Sequence, residues 1–229
     1  MINGMKKCIS VSIAVAWFII LSVVIQSPVL SWLNEEYLNV GKDAKGDLFR
    51  IILFISLALI LLYLVMKFAK RLDINWKQSQ FNTGRKGNAL LYKYTAITLL
   101  LTLIYILVLY IGNGYNVGTV PKPIVEMQER PVIFILYLCT AVITQPILEE
   151  LLFRGILQEK LSRYSIWGGL IMASVLFSYS HDYQTIFNSH LVSSLIYGLA
   201  YAKLNNIKAP IILHILQNSL VIAFVVLFR

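Results

Sequence analysis

Three stretches place acids, imidazoles and an amide at fixed spacings inside otherwise apolar sequence. In QPILEELLFRG, running from Gln145 to Gly155, Glu149 and Glu150 stand ahead of Arg154. In LFSYSH, His181 closes an apolar run, and in PIILHILQNSL, His214 stands four residues before Asn218. Carboxylates and imidazoles move protons, and imidazole and amide N–H groups cradle developing negative charge. Spacing sorts the groups. Glu150 and Arg154 are i and i+4, the separation of an ion pair on one helix face. Glu149 is turned about 100° away and has no such charged partner, which leaves it free to react. His214 and Asn218 share a face in the same way.

Each group also has a plainer reading. Asn218 alone could join two helices, at a worth of about 0.6 kcal/mol. A single buried histidine can be a satisfied core residue, and Glu150 with Arg154 reads as structural. His190 sits beside Asn188 and Ser189 at a helix start, where capping or a loop role is expected. Tyr179 and Asp182 flank His181 and are expected at the mouth of any cavity there. Convergence would tip the balance. A charge at the centre of a membrane costs at least about 2.5 kcal/mol, so several such groups at one depth are hard to retain as glue.

The surrounding sequence is that of an integral membrane protein. Of 229 residues, 58% are hydrophobic and 14% charged, against about 25% charged in a soluble domain. The expected fold is all-α, a polytopic bundle of about seven transmembrane helices. Expected spans are Cys8–Leu30, Phe49–Phe68, Leu90–Ile111, Val132 to about Leu157, Ile166–Ser180, His190–Tyr201 and Ile207–Phe228, the fifth and sixth being short. The first run exceeds the apolar core of a signal peptide and reads as a retained helix. Residues 1–130 then form an N-terminal set of three spans, and residues 131–229 form the part that carries the chemistry, within one membrane domain.

The net charge of +9 lies in short loops and flanks, so it argues for topology and against a nucleic-acid partner. Lys67, Lys70, Arg71, Lys77, Arg85 and Lys86 face a single Asp73 in the second loop. With Lys6 and Lys7 they place the N-terminus in the cytoplasm of a multi-pass protein of the cell membrane, and the Ile-, Lys- and Asn-rich composition suggests a bacterium. Cys8 and Cys139 lie in apolar runs and support neither a disulfide nor a metal site. If the fourth and fifth spans form a hairpin turning at Tyr164, Glu149 and His181 differ in depth by about 3 Å. His214 and Glu149 then lie about 10 and 12 Å below the cytoplasmic surface.

The three stretches resemble the signature of the CPBP family, also called Abi, which comprises CAAX-processing proteases and bacteriocin-processing or immunity enzymes. The family pattern is EExxxR, then FxxxH, then HxxxN or HxxxD. Here it reads from Glu149 through Glu150 to Arg154, from Phe177 to His181, and from His214 to Asn218, and the resemblance covers about Val132–Val225. It implies a glutamate-dependent intramembrane endopeptidase. Glu149 would activate water with help from His181, His214 and Asn218 would stabilise the oxyanion, and Glu150 and Arg154 would brace them. The partners implied are membrane lipids and a membrane-associated peptide or protein, such as a bacteriocin leader or pheromone precursor. No cofactor is expected. Zn²⁺ is the alternative, since two carboxylates and two histidines are plausible ligands, although HExxH is absent. Two further alternatives are a non-catalytic immunity or binding protein and a proton relay, the latter disfavoured by the lack of an inverted repeat.

Overall fold

The computed structural model describes residue 20 and residues 44–74, 85–112, 120–181 and 188–228. The expected first span lies outside these residues except for Ile20, as do Lys6, Lys7, Cys8, Lys77 and Asp182. Among the described residues all regular structure is helical. Helix α1 is Ala44–Arg71 and α2 is Arg85–Gly112. A single turn at Lys122–Val125 precedes α3, which runs without a break over Pro131–Ser162. Then come α4 at Ile166–His181, α5 at Ser189–Leu204 and α6 at Lys208–Phe228.

Helices α1, α2, α3 and α6 are long and apolar enough to cross a membrane. The 16-residue helices α4 and α5 span only about 24 Å each at the helical rise. The surface confirms the solvent. Leu59, Tyr63, Leu100, Leu103 and Val108 point outward, while Glu149, Glu150, Arg154, Ser174, Ser178 and Ser194 are buried. Lipid cannot hydrogen-bond, so polar groups must find partners inside the bundle.

Helix α3 is irregular for a reason that can be read in its sequence. Two π-helical segments, Cys139–Thr144 and Phe153–Gln158, interrupt its α-helical stretches. Gln145 sends its backbone N–H to Thr140, and the next residue, Pro146, has no N–H to give. The carbonyl of Ala141 is therefore left without its helical donor from either position, and something else must satisfy it.

Close approaches hold the other helices to α3. A side chain at Gly169 would put its Cβ 2.7 Å from Ser162 Oγ and 2.8 Å from its backbone nitrogen, so only glycine lets α4 fold back this tightly. The turn between them falls at Arg163–Ser165, where the hairpin was expected. At Gly198 of α5, Gln158 Nε2 donates to the carbonyl oxygen at 2.9 Å. Lys160 and Arg163 donate to the carbonyls of Leu72 and Asp73 just beyond α1. The apolar core packs Leu61, Val65 and Phe68 of α1 against Leu148, Leu152, Phe153 and Ile156 of α3.

Candidate active site

The motif side chains meet around Glu149, which is 1% exposed. One of its oxygens lies 3.7 Å from His181 Nε2 on α4, and the other lies 3.8 Å from His214 Nε2 on α6. Each imidazole is held by its other nitrogen. His181 Nδ1 is 2.9 Å from the carbonyl oxygen of Phe177, one turn earlier. His214 Nδ1 is 3.0 Å from Glu150 Oε1. A carbonyl or carboxylate oxygen accepts, so both Nδ1 atoms carry hydrogen, and in the neutral rings both Nε2 atoms present a lone pair towards Glu149.

The two glutamates thus divide their work as spacing suggests, with an addition. Arg154 Nε donates to Glu150 Oε2 at 3.0 Å, both side chains being fully buried. Glu150 also orients His214 with its other oxygen, a link across helices that i, i+4 reasoning could not supply. Arg154 reaches further. Its Nη2 donates to Ser194 Oγ at 2.6 Å, and its guanidinium lies 5.3 Å from the centroid of Phe177. One arginine therefore ties α3 to α4 and α5.

Aromatic rings fix the imidazole planes. Tyr197 stacks on His214 at 5.1 Å, and Phe177 meets the same ring edge-on at 5.8 Å. His190 stacks on His181 at 4.5 Å. The expected capping role of His190 is corrected by this position. Asn188 is the cap, accepting from the backbone N–H of Leu191 at 3.1 Å, while His190 turns towards the site. Tyr179 is corrected as well. It is 51% exposed and does not line the cavity, because the α-helical phase of α4 turns it away from the face that carries Phe177 and His181.

Asn218 lines the cavity, and its Nδ2 donates to the carbonyl of Ala141 at 2.8 Å. This is the carbonyl that Pro146 leaves without a helical donor. The carboxamide nitrogen has a second hydrogen for a substrate oxygen, but the first belongs to α3.

Residues that the motifs do not mark complete the site. Gln145 Nε2 donates to Glu149 Oε1 at 2.9 Å, so Glu149 is not without a partner. The signal was present as i, i+4 spacing, read only for charges. Tyr197 hydrogen-bonds Gln217, and both line the cavity. The cavity holds about 300 Å³ and adjoins a groove of about 480 Å³ between α2 and α5. Tyr105, Ser189, Ser193 and Gln217 border both. Among the described residues no three His, Cys, Asp or Glu side chains take up a metal-binding arrangement.

Comparison with known proteins finds relatives that share this part of the chain. Residues 131–220, which span all three motifs, match the family of type II CAAX prenyl endopeptidases, Rce1-like. The chain is 26% identical to the membrane-embedded CAAX protease MroQ of Staphylococcus aureus, over 76% of this chain and 72% of that protein. No solved structure matches it. The ordered motifs and the helices that carry them thus lie in the part of the chain that is similar to these membrane proteases.

Proposed function

We propose that the protein is an intramembrane endopeptidase in which Glu149 activates water to hydrolyse a peptide bond of a membrane-associated peptide, reached from the cytoplasmic side. The observation that carries the proposal is the placement of both Glu149 oxygens against the Nε2 atoms of His181 and His214, in one cavity. Water between Glu149 and His181 gives a proton to the carboxylate while its oxygen attacks the carbonyl carbon. A lone pair on His181 Nε2 accepts the water's other hydrogen and so orients it. The carbonyl oxygen becomes an oxyanion, for which Asn218 offers its second N–H. His214, charged when Nε2 also binds a proton, offers a further donor. The Glu150 carboxylate accepts from its Nδ1 and so fixes the ring's orientation. The C–N bond then breaks, and the proton held by Glu149 passes to the leaving amine. The mechanism uses no metal, and its biological setting is the maturation of, or immunity to, an exported peptide such as a bacteriocin or pheromone precursor.

The test is cleavage of lipid-anchored, internally quenched peptides by the protein in nanodiscs, with products read by mass spectrometry. The wild type should release fragments and Glu149→Gln should release none, with both proteins inserted and equally stable. Equal cleavage by the variant would remove Glu149 from the chemistry. No cleavage of any peptide by the wild type would favour a binding protein.

A further inference from the structure

We infer that Gln145 is the positioning residue of Glu149, the group that holds its carboxylate in line between the two histidines. The inference rests on the proposed function for its catalytic consequence but not for its geometry. Glu149 is buried, and a buried carboxylate turns freely about its last bond unless a donor fixes it. The imidazoles cannot do so. Their Nε2 atoms stand at 3.7 and 3.8 Å, outside hydrogen-bond range, and in the neutral rings they offer lone pairs. Arg154 gives Nε to Glu150 and Nη2 to Ser194, and its Nη1 makes no hydrogen bond among the described residues, so none of its nitrogens holds Glu149. The donor within range is Gln145 Nε2, at 2.9 Å from Oε1.

The oxygen that Gln145 holds is the one facing His181, so the carboxylate's other oxygen is directed to His214. The helix supplies the placement. Gln145 closes the first π-helical segment of α3, and from there α-helical spacing sets its side chain one turn below Glu149. Glutamine suits the task because its amide donates without charge. A lysine or arginine there would compete as an ion-pair partner for the base. The remaining ionisable neighbours are accounted for: His190 stacks on His181, Tyr197 stacks on His214, and Tyr105 and Tyr137 line the cavity wall.

Isotope-edited infrared spectroscopy of the full chain in nanodiscs tests the bond directly. The Glu149 carboxylate stretch is assigned as the band lost in Glu149→Gln. Gln145→Met removes the donor and keeps the side chain's length, and it should shift that band. Gln145→Asn, shorter but still a donor, should restore the band in part. With the quenched peptide that the wild type cleaves fastest, Gln145→Met should lower kcat by about ten- to a hundredfold, the span of one charge-assisted hydrogen bond, and leave KM unchanged. An unshifted band overturns the inference, and so does a shifted band with unchanged kcat. Thermal melting of each variant separates misfolding from misplacement. If Glu149→Gln cleaves like the wild type, the functional reading fails, while the infrared band still decides whether Gln145 holds the carboxylate.

Discussion

Asn218 donates to the Ala141 carbonyl at 2.8 Å, in place of the backbone hydrogen that Pro146 lacks. A side chain on α6 thereby completes the hydrogen bonding of α3 on the N-terminal side of Glu149. Asn218→Leu should destabilise the protein by about 1–3 kcal/mol, the cost of an unsatisfied buried carbonyl. Pro146→Ala, which returns an N–H to the helix, should recover much of that loss in the double variant. Thermal or denaturant unfolding measures the coupling. If the two effects simply add, Asn218 is not replacing the missing donor.

Arg154 joins Glu150, Ser194 and the face of Phe177, so its loss should be felt in folding before chemistry. Arg154→Ala leaves Glu150 buried with its charge uncompensated, at a cost of about 3–5 kcal/mol. Ser194→Ala removes one neutral partner and should cost only about 1 kcal/mol. Membrane yield and melting temperature check the order. A stable Arg154→Ala protein that has lost only activity would move the arginine into the chemistry.

Much of this was legible in the sequence because the membrane makes polar residues informative. Glu149, Glu150, Arg154, His181, His214 and Asn218 stood out against apolar runs, and the helix–turn–helix at Tyr164 followed from span lengths. The cross-helix contacts were not legible. No local spacing could pair His214 with Glu150, because 64 residues separate them. The π-helical segments were hidden too, since a proline within an apolar run signals a disturbance without saying which carbonyl it strands. His190 was misjudged because Ser, Asn and His at a helix start all suit a cap, and only the packed fold shows that Asn188 takes that place.

Metal independence is open to direct test. Gln145 donates to the same Glu149 oxygen that faces His181, so a cation bridging the two would compete with that hydrogen bond. Protein prepared in a strong chelator should cleave at the rate of untreated protein, and added Zn²⁺ should not raise it. Loss of cleavage in the chelator, restored by Zn²⁺, would make Glu149, His181 and His214 metal ligands.

Burial decides where the side of water entry can be probed. Leu151 and Leu213 neighbour motif residues in sequence, yet both point into the core. Ser193 and Val221 line the cavity instead. Single cysteines at these two positions, in a background lacking Cys8 and Cys139, should react with a small hydrophilic thiol reagent supplied from the cytoplasm. So should a cysteine at Tyr164, which is 87% exposed at the α3–α4 turn. The topology expected from loop charges puts Ser31 and Gly118 outside, so cysteines there should react with external reagent that leaves the cavity positions untouched. Cavity labelling from outside alone would invert the topology and make exported peptides the substrates. If Ser193 and Val221 cysteines stay unreactive from both sides while the Tyr164 control reacts, water does not reach the cavity and hydrolysis at Glu149 fails as a mechanism.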